Sequence, residues 1–185
     1  MSEYKLTNGD ISVIAVFLLG GALHHIHLED VAMKAGELSP KAFRWKKYPE
    51  QINLEAVRIS LKDEMSKPTK RIVGSIRDGW MLTSSGLAWV QLNKKGEFNS
   101  VFSQLHGEAH RIKQTAAFIR ISSHKTGETK QDDVKNLLKI DDYFSTRNRR
   151  ERVLAIKNVA LIDSDVSYTL SELIKQFPDE FEVEK

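Results

Sequence analysis

Residues 71–87 read Arg71-Ile72-Val73-Gly74-Ser75-Ile76-Arg77-Asp78-Gly79-Trp80-Met81-Leu82-Thr83-Ser84-Ser85-Gly86-Leu87. Arg71 to Ile76 is a short β-prone run, Asp78-Gly79 is a hairpin turn signal, and Trp80 to Leu82 is a second strand. The stretch therefore predicts a two-stranded ribbon. Thr83 offers a hydroxyl to the free amides of a helix start, and that helix carries Leu87, Ala88, Trp89, Val90 and Leu92 before stopping near Lys94, Lys95 and Gly96.

Outward toward the N-terminus the pattern turns helical. Thr7, Asn8 and Asp10 can cap a helix over the apolar run Ile11 to Leu19, and Gly20-Gly21 end it. Leu28, Val31, Ala32 and Ala35 form one face of a second helix, with Glu29 and Asp30 in its first turn and Gly36 at its end. Ser39-Pro40 begins a further turn or two through Ala42, Phe43 and Trp45. Pro49 and Asn53 precede a third long helix with Leu54, Val57, Ile59, Leu61 and Met65 and with Arg58, Lys62 and Glu64 expected outward, stopped by Ser66, Lys67 and Pro68.

The C-terminal half reads as nearly all helix. Val101, Leu105, Ala109, Ile112, Ala116 and Ile119 are spaced like the seam of a coiled pair of helices, either between two copies of the chain or against helices of the same chain. A polar loop, 122–130, precedes a helix through Val134, Leu137 and Leu138. Thr146 to Ile162 is another, and Val166 to Phe177 a last one before Pro178. The fold class expected is mainly α with a small β-ribbon, in two parts: 1–96, and a helical region 97–185.

Composition sets limits on chemistry. The 185 residues carry 28 Lys plus Arg against 25 Asp plus Glu, six His and no Cys. Without Cys there are no disulfides, thiolate nucleophiles or thiolate metal sites, and a cytoplasmic setting is the default. The run Ile11–Leu19 is too short to span a bilayer and no basic-then-apolar leader precedes it, so no membrane is expected. Charge is unevenly spread. Residues 41–77 hold ten cations against four acids, net +6, whereas 163–185 are net −5 and 147–157 net +4. Such segregation suggests a polyanionic partner for the first segment.

The order helix, helix, helix, ribbon, helix over 7–95 resembles the winged helix-turn-helix superfamily. Leu28-Glu29-Asp30-Val31-Ala32 looks like its second helix. Trp80 to Leu87 is similar to the "strand, Leu-Thr, two residues, Gly" pattern by which many winged-helix repressors leave the wing. The resemblance implies that Asn53–Met65 is the recognition helix and Arg71–Leu82 the wing. One departure is that residues 36–52, with Pro40 and Pro49, separate the second and third helices. Either a short extra helix is inserted there, or the segment around Phe43 to Tyr48 is itself presented to a ligand.

Duplex DNA carries about one phosphate charge per ~1.7 Å of axis, so several cations on one face gain affinity by releasing counterions. Arg58 and Lys62 share a face of the third helix, with Arg58 suited to bidentate guanine contact. Lys67, Lys70, Arg71 and Arg77 bracket or lie on the ribbon, and Arg44, Lys46 and Lys47 form a second cluster. Trp45 and Tyr48 beside them are assigned to core packing or loop anchoring in preference to base stacking. His24, His25 and His27 have no distant partner at recognisable metal spacing apart from His106 and His110, which lie four apart on a helix, able to clamp a metal but without the intervening Glu of a hydrolase motif, so no metal is expected. Asp132-Asp133 and Asp141-Asp142 fall where caps and turns favour acids. Arg147 to Arg152 either extends a phosphate-binding surface or pairs with the acidic tail. No phosphate-cradling glycine loop, nucleophile elbow or dinucleotide fingerprint occurs. The reading is a non-catalytic, cofactor-free DNA-binding transcription regulator, dimeric through its C-terminal helices. The alternatives are a protein-docking adaptor and a DNA-targeting component of a nucleic-acid-processing or defence assembly.

Overall fold

The computed structural model describes residues 6–93 and 99–182. The protein is mainly helical, with one two-stranded antiparallel sheet, and divides into two compact units, Met1–Val101 and Phe102–Lys185. The expected boundary at 96/97, and the helix stop at Lys94 to Gly96, lie outside the described residues.

In the first unit α1 (Asn8–Leu18) starts on a reciprocal cap. Asp10 N–H donates to Thr7 Oγ1 at 3.2 Å, and Thr7 N–H returns to Asp10 Oδ2 at 2.8 Å. Ile11 through Phe17 are all buried, the mark of a helix surrounded on every side. The second helix, α2 (Leu28–Leu38), buries Leu28, Val31, Ala32 and Ala35. It does not end at Gly36 as expected. Gly36 is buried mid-helix under Ile52, whose Cδ1 would lie 2.5 Å from any Cβ there, so the glycine clears space instead of stopping the helix. One turn, α3 (Pro40–Phe43), follows, and α4 (Leu54–Ser66) is capped by Asn53 Oδ1, which accepts from Ala56 N–H at 3.1 Å. Helices α1, α2 and α4 pack on one another. Ser12 and Ser60 hydroxyls meet at 2.5 Å between α1 and α4.

Strands β1 (Ile72–Ser75) and β2 (Gly79–Leu82) pair with Ile72 opposite Leu82 and Ser75 opposite Gly79. The turn is Ile76–Asp78, and Gly79 opens β2 at φ +83, a backbone that favours glycine. The other edge of β2 is covered by the segment before α2: Ile26 and Trp80 exchange both backbone hydrogen bonds, at 2.9 and 2.8 Å, and Leu82 N–H donates to Gly21 O at 2.7 Å. All four β2 residues are consequently buried. Thr83 caps α5 (Ser84–Asn93), with Gly86 N–H donating to its hydroxyl at 3.1 Å.

The second unit contains α6 (Asn99–Lys113), α7 (Ala116–Ser122), α8 (Gln131–Leu138), α9 (Thr146–Ala160), α10 (Ser164–Gln176) and a single turn, α11 (Pro178–Phe181). The seam expected from Val101 to Ile119 is not one helix. It breaks at Gln114-Thr115, where Thr115 caps α7. Leu105, Ala109 and Ile112 are buried, whereas Ala116 is exposed and Ile119 is 53% exposed, so these five positions do not form one open stripe. Pro178 does stop α10, but it also starts α11, which buries Phe181. No helix among the described residues is long and apolar enough to cross a membrane.

Candidate nucleic-acid interface

Folding sorts the ten cations of 41–77 into three groups. Arg71 is the correction. Expected on the ribbon surface, it is 7% exposed, because the ribbon packs its first residue inward against the start of α1 and the end of α4. Its Nη1 donates to Asp10 Oδ1 at 2.8 Å and its Nε to Glu64 Oε2 at 2.7 Å, while the guanidinium lies 4.4 Å from the centre of the Trp89 ring. Asp10 and Glu64 are themselves buried. Burial pushes the Asp10 carboxyl up, but the hydrogen bonds from Thr7 and Arg71 outweigh it and leave its pKa below the ordinary value. With both carboxylates bound to it, Arg71 has no free fork for a phosphate.

Three more cations are engaged without being buried. Arg44 is half-buried and its Nη1 donates to the carbonyls of Pro49 and Glu50 at 3.1 and 3.2 Å. Arg58 is held by Glu55, one turn earlier, with Nε 2.6 Å from Oε2; this pair also lowers the Glu55 pKa. Lys67 reaches Glu64 from the surface. An exposed pair of this kind costs little to open, so Arg58 stays available to a competing anion.

Six cations remain: Lys41, Lys46, Lys47, Lys62, Lys70 and Arg77. All are exposed and none has an ion-pair partner among the described residues. Lys62 is on the outer face of α4, Lys70 enters β1 with φ +39, and Arg77 is in the ribbon turn. Of the four acids in the same segment, Glu55 and Glu64 are the paired ones, leaving Glu50 and Asp63.

The 44–52 segment is a braced finger. Arg44 bridges Ile52 antiparallel, Trp45 N–H donates to Gln51 O at 3.2 Å, Gln51 N–H to Tyr48 O at 3.0 Å and Asn53 N–H to Phe43 O at 2.8 Å. Phe43, fully buried, roots it. Of the two places expected for Trp45 and Tyr48, the core and a loop anchor, the core is ruled out: they are 49% and 48% exposed on the finger. A cleft of about 420 Å³ is lined by Pro40, Lys41, Arg44, Trp45, Lys46 and Pro49.

Elsewhere the acidic pairs serve local structure. Asp133 accepts from Lys130 N–H at 2.8 Å at the start of α8, and Asp141 from Tyr143 N–H at 2.9 Å in a turn. Arg149 pairs with Glu180 of the acidic tail. No three His, Asp or Glu among the described residues come together as a metal site. No protein-family model, no characterised protein and no solved structure matches this chain.

Proposed function

We propose that the first unit is a winged helix-turn-helix that binds duplex DNA, with α4 as the helix presented to the major groove, the β1–β2 ribbon as the wing, and transcription regulation as the purpose. The observation that carries this reading is the sorting of charge. The acids of the segment are half consumed by pairing while six cations stay exposed and free of ion pairs, on α3, on α4, just before and within the ribbon, and on the finger. Three mutually packed helices and a ribbon whose inner strand also pairs with Ile26 supply the supporting architecture. Self-association through the second unit, which would let two copies read two half-sites, is part of the same proposal.

The test is the salt dependence of binding to random duplex. Each phosphate contact contributes a slope of about −0.9 in log K against log salt, so the Lys62→Ala, Arg77→Ala double variant lowers the slope by roughly two. Arg71→Met should leave the slope untouched where the protein stays folded. A protein-docking role is the second reading, favoured by Leu54 and Ile59, 41% and 47% exposed on α4, and by Ile76 at the ribbon turn, 52% exposed. Failure to bind duplex at low salt, or binding indifferent to salt, overturns the DNA reading in favour of docking.

A further inference from the structure

We infer that the finger between α3 and α4 is a stacking site for single-stranded nucleic acid, in which Trp45 and Tyr48 take unpaired bases and Lys41, Lys46 and Lys47 take the flanking phosphates. This goes beyond duplex binding and stands on a different element. Two large aromatics are held half in water on a nine-residue segment, where burial against a core is their usual fate. They are not on a slack loop. Backbone bonds from Trp45, Gln51 and Asn53, the Arg44 brace and the seating of Ile52 over Gly36 fix the finger before any ligand arrives. A preorganised platform loses little conformational entropy on binding.

The surroundings select the ligand. The cleft beside Trp45 has three cations and two prolines in its lining and no carboxylate, and Lys47 Nζ stands 5.5 Å from the centre of the Tyr48 ring. Glu50 is the single acid from Pro40 to Asn53, against four cations. An aromatic plate rimmed by positive charge suits a flat ring joined to phosphates, because every base offers a π-face and the backbone supplies the anions. A duplex hides those faces by stacking; a single strand does not.

The experiment uses the intact chain and three ligands at low salt: an octamer of thymidylate, an octamer of abasic phosphodiester, and oligoglutamate. The thymidylate octamer is expected to quench tryptophan fluorescence and to bind the wild type at least about tenfold more tightly than the abasic strand. Trp45→Ala should remove the quench and weaken thymidylate binding about tenfold without changing abasic binding, while Trp45→Phe keeps most of the affinity. Tyr48→Ala gives a second readout should Trp45→Ala fold poorly. Equal affinity for the abasic and thymidylate strands, displacement by oligoglutamate at equal charge, or no effect of both aromatic variants overturns the proposal. Blunt duplex measured beside the octamers keeps the outcomes separate: loss of duplex binding with retained thymidylate binding breaks only the winged-helix reading, and the converse breaks only this one.

Discussion

Arg71 in the first unit and Glu108 in the second are both ringed by opposite charge, with the signs reversed. One guanidinium bridges two buried carboxylates, Asp10 and Glu64, and Lys67 completes the balance from outside. One carboxylate, 13% exposed, receives Arg111 at 2.9 Å and Arg152 at 2.8 Å, with Lys139 at 3.5 Å. The difference governs what each surface has left. The first unit buries Asp10 and Glu64 around one arginine and leaves Lys41, Lys46, Lys47, Lys62 and Lys70 in solvent. The second ties Arg111 and Arg152 to Glu108, Arg149 to Glu180 and Arg120 to Asp133, so two of the five cations in its net +4 stretch at 147–157 are tied to acids elsewhere in the fold. A charge tally along the chain treats the two stretches alike; folding does not.

The comparison breaks first at Arg71. Arg71→Met leaves two buried carboxylates with only Lys67 nearby, and stranding buried charge costs about 3–5 kcal/mol. All three tryptophans, Trp45, Trp80 and Trp89, lie in the first unit, so urea unfolding followed by tryptophan fluorescence reads this loss directly. A cost under about 1 kcal/mol would mean that water replaces the guanidinium at the two carboxylates, and the contrast would vanish.

Glu108 is the milder case. Burial raises its pKa, but hydrogen bonds from Arg111 and Arg152 overcome this and bring it from 4.5 to about 2. A depressed carboxylate pKa stabilises the fold fully above the unfolded value, and that contribution is lost as pH falls from about 4.5 through about 2. Its size is roughly 3 kcal/mol. Glu108→Gln is expected to remove this acid-side slope and to cost roughly 2 kcal/mol at neutral pH. It costs less than Arg71→Met because both arginines keep carbonyl partners, Leu137 O at 2.8 Å and Leu138 O at 2.9 Å. Far-UV circular dichroism between pH 2 and 7 measures it; an unchanged slope in the variant would assign the acid sensitivity to another group.

Local chemistry made the helix starts legible. Thr7, Asn53 and Thr83 each cap the helix expected of them, since a cap needs only residues three positions apart. The ribbon was legible for the same reason, through turn residues and β-branched neighbours. What failed was anything settled across distance. Arg71 answers to Glu64 seven residues away and Asp10 sixty-one away, and Glu64, expected to face outward on α4, is buried on the side of Val57 and Leu61 instead. Gly36 looked like a helix stop because its tenant, Ile52, comes sixteen residues later. Thr115 ahead of Ala116 is a local cap signal inside the supposed seam, though the spacing of apolar residues runs on across it. In the candidate site the residue types are read straight off the chain, but which cations stay free depends on pairings that composition does not encode.

The smallest expected effect probes the second unit. Arg150 is exposed on α9 and has no ion-pair partner among the described residues, unlike Arg149 and Arg152 on the same helix. If α9 presented its arginines to a polyanion, Arg150 would be the one most ready to act, and Arg150→Ala would lower the salt slope of duplex binding by about 0.9. Because its neighbours are committed to Glu180 and Glu108, a single guanidinium has no cluster to join, and the expected change is none within error. A slope reduced by the full 0.9 would show that the second unit shares the anion, and would erase the contrast between a unit with six exposed cations free of ion pairs and one that pairs Arg149 and Arg152 within the fold.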